Sequence, residues 1–190
     1  GMKGLKAIFL RGPDGGLTSL TRQDHTDQLK AGVPFTETLR QLDQSPVPII
    51  ILLSGQIRDS LVDMALAAHY RLGDMELNIS FTGWKQRYFQ SHGSTQRLPR
   101  IIGAKRGLDM LLGKSVTARE AVDIGLVDGL ARHNLIKSAP TFFAKRIAGN
   151  PTPRAAFDRT ISATFAATFQ DQIVAAKANT RNPLVRRVID

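Results

Sequence analysis

The chain has 190 residues, which is long enough for one domain with a substantial hydrophobic core but short for two. It contains no cysteine, which excludes disulfides, thiolate catalysis and cysteine-bound zinc. The formal net charge is +10, and no apolar run approaches the roughly 18 residues that a membrane-spanning helix needs. We therefore expect a cytoplasmic protein with no membrane association.

The first half of the chain predicts alternating strands and helices. The apolar, Gly and Pro positions predict a strand at 5–10, a loop at 11–16, a helix at 36–42, a strand at 47–55, a helix at 61–68 and one or two strands at 70–79. Residues 24–44 show some helical periodicity that Gly32 and Pro34 interrupt, so the stronger prediction is a helix that begins at Thr36. The continuous apolar strand is typical of one covered on both faces, and the order of elements favours an α/β domain with a parallel sheet.

The second half predicts mainly helices. One helix is predicted at 104–112. Another begins after Thr117, because Glu120 follows three residues later, a spacing typical of a capping box. Its end is predicted at Gly125, and a short extended segment at 126–130 follows.

Large apolar residues recur at a four-residue spacing near the C-terminus, at Phe157, Ile161, Phe165, Phe169 and Ile173. This spacing predicts one apolar face of an amphipathic helix. Two interpretations stay open at this point. The face packs on the core of its own chain, or it packs on a neighbouring subunit.

The positive charge lies in the second half of the chain. Residues 85–119 contain eight Lys and Arg against one acidic residue, and residues 134–190 contain nine against three. Such a field favours an anionic ligand, either a nucleotide-like cofactor or nucleic acid. The alternative is a solvated basic surface without a partner, since no aromatic residues interleave with the charges. Because charge alone supports nucleic acid, we do not expect it to be the partner.

Three segments carry a resemblance to a known family. They are GSTQRLPRIIGAKRGLDMLLGKSVTAREAVDIGLVDGL at 93–130, VPIIILLSGQIRDSLVDMALAAHYRLG at 47–73 and KAIFLRGPDGGLTSLTRQD at 6–24. They resemble, in that order, the Gly-Thr-Gln-Arg-Leu helix start with its following helices, the Gly-rich active-site turn, and the first oxyanion loop of the enoyl-CoA hydratase/isomerase (crotonase) superfamily.

The resemblance implies an α/β fold, a spiral of strand–strand–helix units followed by a C-terminal helical region. We accordingly expect a crotonase-like core at 2–132 and the helical region of the same domain at 133–190. Members of the family commonly form trimers, so a homo-oligomer, trimer or hexamer, is expected. The family fold has strands that would precede Leu5, so the chain resembles a divergent, N-terminally short member whose exposed sheet edge needs a cover.

The resemblance also implies where a thioester carbonyl would bind. Family enzymes polarise this carbonyl with two backbone N–H groups, and removing one donor from such an oxyanion hole typically costs about 10²–10³ in rate. The matching positions are Thr21, in the segment 17–22, and Ser60, where three family glycines are replaced by Asp59-Ser60-Leu61. Glycine serves where a chain needs positive φ or close approach to a ligand, so we expect the hole to be distorted.

Hydratases of the family use two glutamates, of which one has a counterpart here. Asp63 occupies the first position on a stem shorter by about 1.5 Å, one carbon–carbon bond, and Gly83 leaves the second position without a side chain. Glu76 lies too far along the chain to replace it. Two-glutamate hydration is therefore not expected. Asp63 is a candidate lone acid or base; alternatively, it faces solvent or stabilises the N-terminus of the helix that begins near Leu61.

Histidines are the other candidates for proton transfer near neutral pH. His92 directly precedes the 93–130 segment, which places it near the expected pocket or on the edge of a loop or helix. His69 stands where the family usually has an aspartate, so we expect it to be structural. No spacing suggests a metal site.

Two functional hypotheses follow from the resemblance. In the first, the protein binds or acts on an acyl-CoA thioester, with coenzyme A arriving as part of the substrate or ligand and no permanently bound cofactor. In the second, it is a non-catalytic subunit that uses the fold for homo-oligomer or hetero-complex assembly. The replaced glycines and the vacant Gly83 position favour the second.

Overall fold

The computed structural model describes residues 6–12, 16–18, 32–82, 92–132 and 138–147, together with residues 135, 153, 171 and 174. Two of the predicted site positions, Thr21 and Gly83, lie outside these residues. All five residues of the C-terminal apolar stripe lie outside them as well. Among the helices of the described part, none is long and apolar enough to cross a membrane.

Strands and helices alternate along the described chain. The strands are β1 (Ile8–Leu10), β2 (Ile49–Leu53), β3 (Gln56–Arg58), β4 (Tyr70–Asp74), β5 (Asn78–Ser80), β6 (Val116–Thr117) and β7 (Gly129–Ala131). The helices are α1 (Gly32–Asp43), α2 (Ser60–Ala67), α3 (Ser94–Ile102), α4 (Ala104–Leu111), α5 (Ala118–Asp123) and α6 (Ala139–Ile147). The order confirms the predicted α/β class.

The main sheet is parallel and has the strand order β1-β2-β4-β7. Its central strand β2 pairs with β1 through Ile8 opposite Ile49 and with β4 through Ile50 opposite Tyr70. Every residue of β2 is buried, which confirms the prediction of a strand covered on both faces. Ile49, Ile51 and Leu53 of this strand belong to the hydrophobic core.

A second, smaller sheet has the order β3-β5-β6, with β3 and β5 parallel and β5 and β6 antiparallel. The chain passes from β2 in the main sheet to β3 in the small sheet and then into α2. This is one strand–strand–helix unit. The turn that leads from β3 into α2 lies at residues 59–60 and holds Ser60, and Asp63 follows within α2.

The helix ends follow local chemistry, with one correction. Thr117 and Glu120 form the predicted capping box, and Gly125 has a φ of 75° just after the end of α5. The prediction that the first helix starts at Thr36 was wrong, because α1 already begins at Gly32. Pro34 falls in its first turn, where a missing N–H breaks no intrahelical hydrogen bond.

A buried ion pair ties α1 to α3. The guanidinium of Arg97 contacts both carboxylate oxygens of Asp43, with Nε 3.3 Å from Oδ1, and both side chains are largely excluded from solvent. Arg97 also donates from Nη1 to the backbone carbonyl of His92 at 2.8 Å. The ion pair therefore holds α3 against α1. The bond to the His92 carbonyl fixes the residue that precedes the start of α3.

Candidate active site

The turn into α2 has an unusual backbone conformation at Asp59. Its φ is 47° and its ψ is −111°, and it is the one non-glycine residue with positive φ in the described part of the chain. Glycine adopts this region freely, whereas a residue with a Cβ does so at a cost of about 1–3 kcal/mol. The turn therefore holds a residue with a Cβ in a conformation that glycine adopts freely, at the first of the three positions matched to family glycines.

Hydrogen bonds from Thr82, two residues after the end of β5, hold Asp59 in place. Its Oδ1 accepts from the backbone N–H of Thr82 at 2.7 Å, and its Oδ2 accepts from the Thr82 hydroxyl at 2.6 Å. Asp59 is 6% exposed, so these bonds form away from bulk water. Two hydrogen bonds from one residue fix the orientation of the carboxyl group.

Ser60, the second predicted oxyanion position, is the first residue of α2 and is buried. The first N–H groups of a helix have no partner within the helix and sit at the positive end of its dipole. Leu61 packs against the hydrophobic core and Arg58 is exposed. Leu61 thus points into the core, and Arg58 points towards solvent.

The segment that carries the other oxyanion position, Thr21, begins beside this turn. Leu17 forms a bridge with the end of β2, donating to the carbonyl of Leu52 at 2.7 Å and accepting from the N–H of Ser54 at 2.8 Å. The hydroxyl of Thr18 donates to the carbonyl of Gln56 in β3 at 3.2 Å. The start of the segment 17–22 is therefore tied to the strand that leads into the Asp59 turn.

Asp63 is fully buried, with 0% exposure. The expectation that it could face solvent was wrong. Its Oδ1 accepts from the backbone N–H of Ser94 at 3.2 Å and from the Ser94 hydroxyl, so the carboxyl satisfies the first turn of α3. Its Oδ2 has no hydrogen-bond partner among the described residues. A buried carboxyl oxygen without a partner calls for an explanation, since such groups are rare in folded proteins.

Burial raises the pKa of the Asp63 carboxyl, because a low-dielectric environment disfavours the charged form. Three neighbours lower the pKa, and burial outweighs them. Ser94 acts through its side-chain hydrogen bond, His92 through a backbone hydrogen bond and its charge, and Arg97 through its charge. The result is a carboxyl group with a raised proton affinity, placed one helical turn after Ser60.

The two histidines considered from the sequence have different surroundings. His92 lies near Asp63, with its Nδ1 3.2 Å from the Thr36 hydroxyl and its ring against Phe35 at a centroid distance of 5.0 Å. His69 is buried, and its Nδ1 accepts from the N–H of Ile49 at 3.1 Å. Burial lowers the pKa of His69, which keeps the ring neutral and agrees with the expected structural role.

No second carboxylate pairs with Asp63 in the manner of the family hydratases, as far as the described residues reach. Glu76 is exposed in the β4–β5 turn, where its N–H donates to Asp74. Gly83 lies outside the described residues. Within the same limits, no three His, Asp or Glu side chains are arranged to hold a metal ion.

Sequence reasoning missed two residues of this cluster. Ser94 lies inside the motif that carried the resemblance, but its contact with Asp63 spans 31 positions. Thr82 directly precedes the vacant position 83, and its contact with Asp59 spans 23 positions. Position in a matched motif was the available signal for Ser94. Thr82 had none.

A cavity of about 730 Å³ lies elsewhere, between β7 and α6. Its lining includes apolar Leu130, Leu135 and Phe142 and basic Lys145 and Arg146. Neither Ser60 nor Asp63 lines it. The cavity is thus separate from the cluster described above.

The fold matches solved structures of one family. An enoyl-CoA hydratase from Bacillus anthracis superposes with a TM-score of 0.69 at 20% identity, covering 94% of this chain and 75% of that one. A probable enoyl-CoA hydratase/isomerase from Mycobacterium abscessus gives 0.67 at 22% identity, covering 94% and 74%. The enoyl-CoA hydratase subunit I from Geobacillus kaustophilus gives 0.67 at 21% identity, covering 93% and 66%.

At these low identities, the superpositions show a shared fold and nothing more. The family is established by a separate comparison of the sequence. The sequence model of the family described as enoyl-CoA hydratase/isomerase matches residues 2–185, nearly the whole chain. The predicted α/β fold of the crotonase type is thereby confirmed, and the chain belongs to the enoyl-CoA hydratase/isomerase family.

Proposed function

We propose that the protein binds an acyl-CoA thioester and moves a proton on it with a single carboxyl group, Asp63. The observation that best supports this proposal is a buried carboxyl with an unpartnered oxygen, placed one helical turn after Ser60. In this proposal the backbone N–H groups of Ser60 and Thr21 receive the thioester oxygen. Coenzyme A enters as part of the substrate and is not a resident cofactor.

The position of Ser60 supports the first part of the proposal. A buried N–H at a helix start is oriented before any ligand arrives, and the helix dipole favours negative charge there. Donors that are preorganised in this way stabilise an oxyanion without reorganising during the reaction. The basic second half of the chain suits the phosphates of coenzyme A.

The pKa of Asp63 supports the second part. A carboxylate with a raised pKa is a stronger base, and a proton-transfer group works best when its pKa approaches the working pH. In the proposed step, Asp63 accepts a proton from the carbon next to the thioester carbonyl while the N–H groups hold the enolate. The same proton then returns to another carbon, so the substrate is isomerised without a second carboxylate.

Titration calorimetry with acetyl-CoA and crotonyl-CoA tests binding, and an enoyl-CoA double-bond isomerisation assay tests turnover. Asp63→Asn keeps the side-chain shape and removes the base, so turnover is expected to fall at least about 10²-fold with the dissociation constant little changed. Asp123→Asn, an exposed carboxylate on α5, is the matched control and leaves both unchanged. Absence of binding at millimolar ligand contradicts the proposal, and unaltered turnover in Asp63→Asn removes Asp63 as the base.

A second candidate function is assembly without catalysis. It is favoured by the use of Asp63 Oδ1 at the N-terminus of α3, which is a structural task, and by apolar side chains left exposed at Phe142 (78%) and Leu135 (51%). In this proposal the protein is a subunit of a homo-oligomer, trimer or hexamer, or of a hetero-complex. Light scattering after size exclusion tests it, since a monomer that is stable at micromolar concentration contradicts assembly.

A further inference from the structure

The turn at Asp59 presents a conflict between residue type and backbone conformation. Its φ of 47° and ψ of −111° lie where L-residues with a Cβ are rarely found. The family glycine at this position would adopt the same conformation without strain. Something in this chain must hold Asp59 in a conformation that its own side chain disfavours.

The side chain of Asp59 supplies that restraint itself. Its two carboxylate oxygens accept from the N–H and the hydroxyl of Thr82, at 2.7 and 2.6 Å, across the gap to the residue that follows β5 by two positions. The backbone N–H of Asp59 also donates to the carbonyl of Ser80 at 3.4 Å. The turn is thus joined to β5 by its backbone and to the residue two positions beyond β5 by its side chain.

The restraint acts directly next to the proposed donor. Ser60 follows Asp59, so a change in the ψ angle of Asp59 rotates the peptide group that carries the Ser60 N–H. A donor must lie about 2.7–3.1 Å from the oxyanion to be useful, which leaves little room for such rotation.

We propose that Asp59 and Thr82 form a clamp that replaces the missing glycine, with Asp59 as a positioning residue for the Ser60 N–H. The proposal rests on the proposed function, in which that N–H receives the thioester oxygen. In a rival assignment, the Asp59 carboxylate itself takes part in proton transfer. Asp59 bonds to Thr82, and the resemblance places the family's second glutamate at the next position, 83.

The test compares the Tm and the acyl-CoA binding of the parent with those of five variants. They are Asp59→Ala, Asp59→Gly, Asp59→Asn, Thr82→Val and the double variant Asp59→Gly/Thr82→Val. Asp59→Ala removes the clamp and keeps the strain, so its Tm is expected to fall by about 5 °C or more. Asp59→Gly removes both, and Asp59→Asn keeps one acceptor oxygen and the same strain as the parent, so both are expected to stay within about 3 °C of the parent.

Coupling between the two residues is the decisive thermal result. Thr82→Val is expected to lower Tm by about 3–6 °C in the parent and by less than about 1 °C in the Asp59→Gly background, where no carboxylate remains to lose its bond. Thr38→Val, an exposed threonine of α1, is the matched control in both backgrounds. Equal effects of Thr82→Val in the two backgrounds overturn the clamp.

Acyl-CoA binding and turnover separate positioning from chemistry. Asp59→Ala is expected to weaken acetyl-CoA binding and lower turnover at least about tenfold, whereas Asp59→Gly and Asp59→Asn retain both within about threefold. Loss of turnover in Asp59→Gly and Asp59→Asn with binding intact overturns the positioning role in favour of the catalytic carboxylate. If the parent protein binds no acyl-CoA, the proposed function fails, and the thermal cycle still decides the clamp.

Discussion

The carboxyl of Asp63 in α2 accepts a hydrogen bond from the backbone N–H of Ser94, the first residue of α3, at 3.2 Å. One buried side chain thus satisfies the start of a second helix, and the N–H groups at a helix start otherwise need water or a cap. The carboxyl that we propose as the proton-transfer group is therefore also part of the contact between two helices.

Ser94→Ala is expected to lower the free energy of unfolding by about 1–3 kcal/mol, because it removes a hydroxyl that donates to a buried carboxyl. Urea unfolding measures the change. Ser115→Ala, at an exposed position between α4 and β6, is the control and should cost less than about 0.5 kcal/mol. Equal effects at the two serines would show that the Ser94 hydroxyl adds nothing specific.

Asp63 should make the protein less stable as pH rises. Burial raises its folded-state pKa above the ordinary value of 3.8, so the folded state binds the proton more tightly than the unfolded state. Above that pH the unfolded state loses its proton first, and the free energy of unfolding falls until the folded-state pKa is passed.

Urea unfolding of the parent and Asp63→Asn from pH 4 to pH 8 measures this contribution. The stability of the parent relative to Asp63→Asn is expected to decrease with rising pH, by about 1.4 kcal/mol for each unit of pKa increase. Asp123→Asn provides the reference for an exposed carboxylate. A constant difference between parent and Asp63→Asn across this range would contradict the raised pKa.

His69 should act in the opposite direction. Burial lowers its pKa below the ordinary value of 6.5, so its stabilising contribution is complete above that pH and is lost as pH falls towards the folded-state pKa. His69→Asn keeps an acceptor for the Ile49 N–H without a titratable ring. The loss of stability between pH 6.5 and pH 5 should therefore be smaller in His69→Asn, and an unchanged slope would assign it to other groups.

The ion pair between Asp43 and Arg97 should matter far more than a surface pair. Asp43→Asn leaves the Arg97 guanidinium buried opposite a neutral group, which is expected to cost about 3 kcal/mol, or roughly 6–12 °C in Tm. Glu37→Gln breaks the exposed pair with Arg40 in the same helix α1 and should lower Tm much less, because water and salt screen an exposed pair. Differential scanning calorimetry compares them, and similar Tm values would contradict the distinction.

Local patterns were enough for the elements whose cause lies within a few residues. The spacing of Thr117 and Glu120 predicted the capping box of α5, and the apolar run at 49–53 predicted a strand buried on both faces. The same kind of reasoning misplaced the start of α1, because Pro34 interrupts a helix interior but is tolerated in a first turn. The local pattern does not show whether Pro34 lies in a first turn or in a helix interior, and the predicted boundary depended on that difference.

The sequence by itself determined the family and the α/β class, because motif spacing survives substitution along one stretch of chain. Only the tertiary structure decided that Asp63 faces inward, that Thr82 holds Asp59 and that Asp43 pairs with Arg97. Those contacts join residues 23 to 54 positions apart. Burial and pairing at such separations depend on how the strands and helices pack, and packing sets the proton affinity of Asp63 and the backbone conformation of the turn.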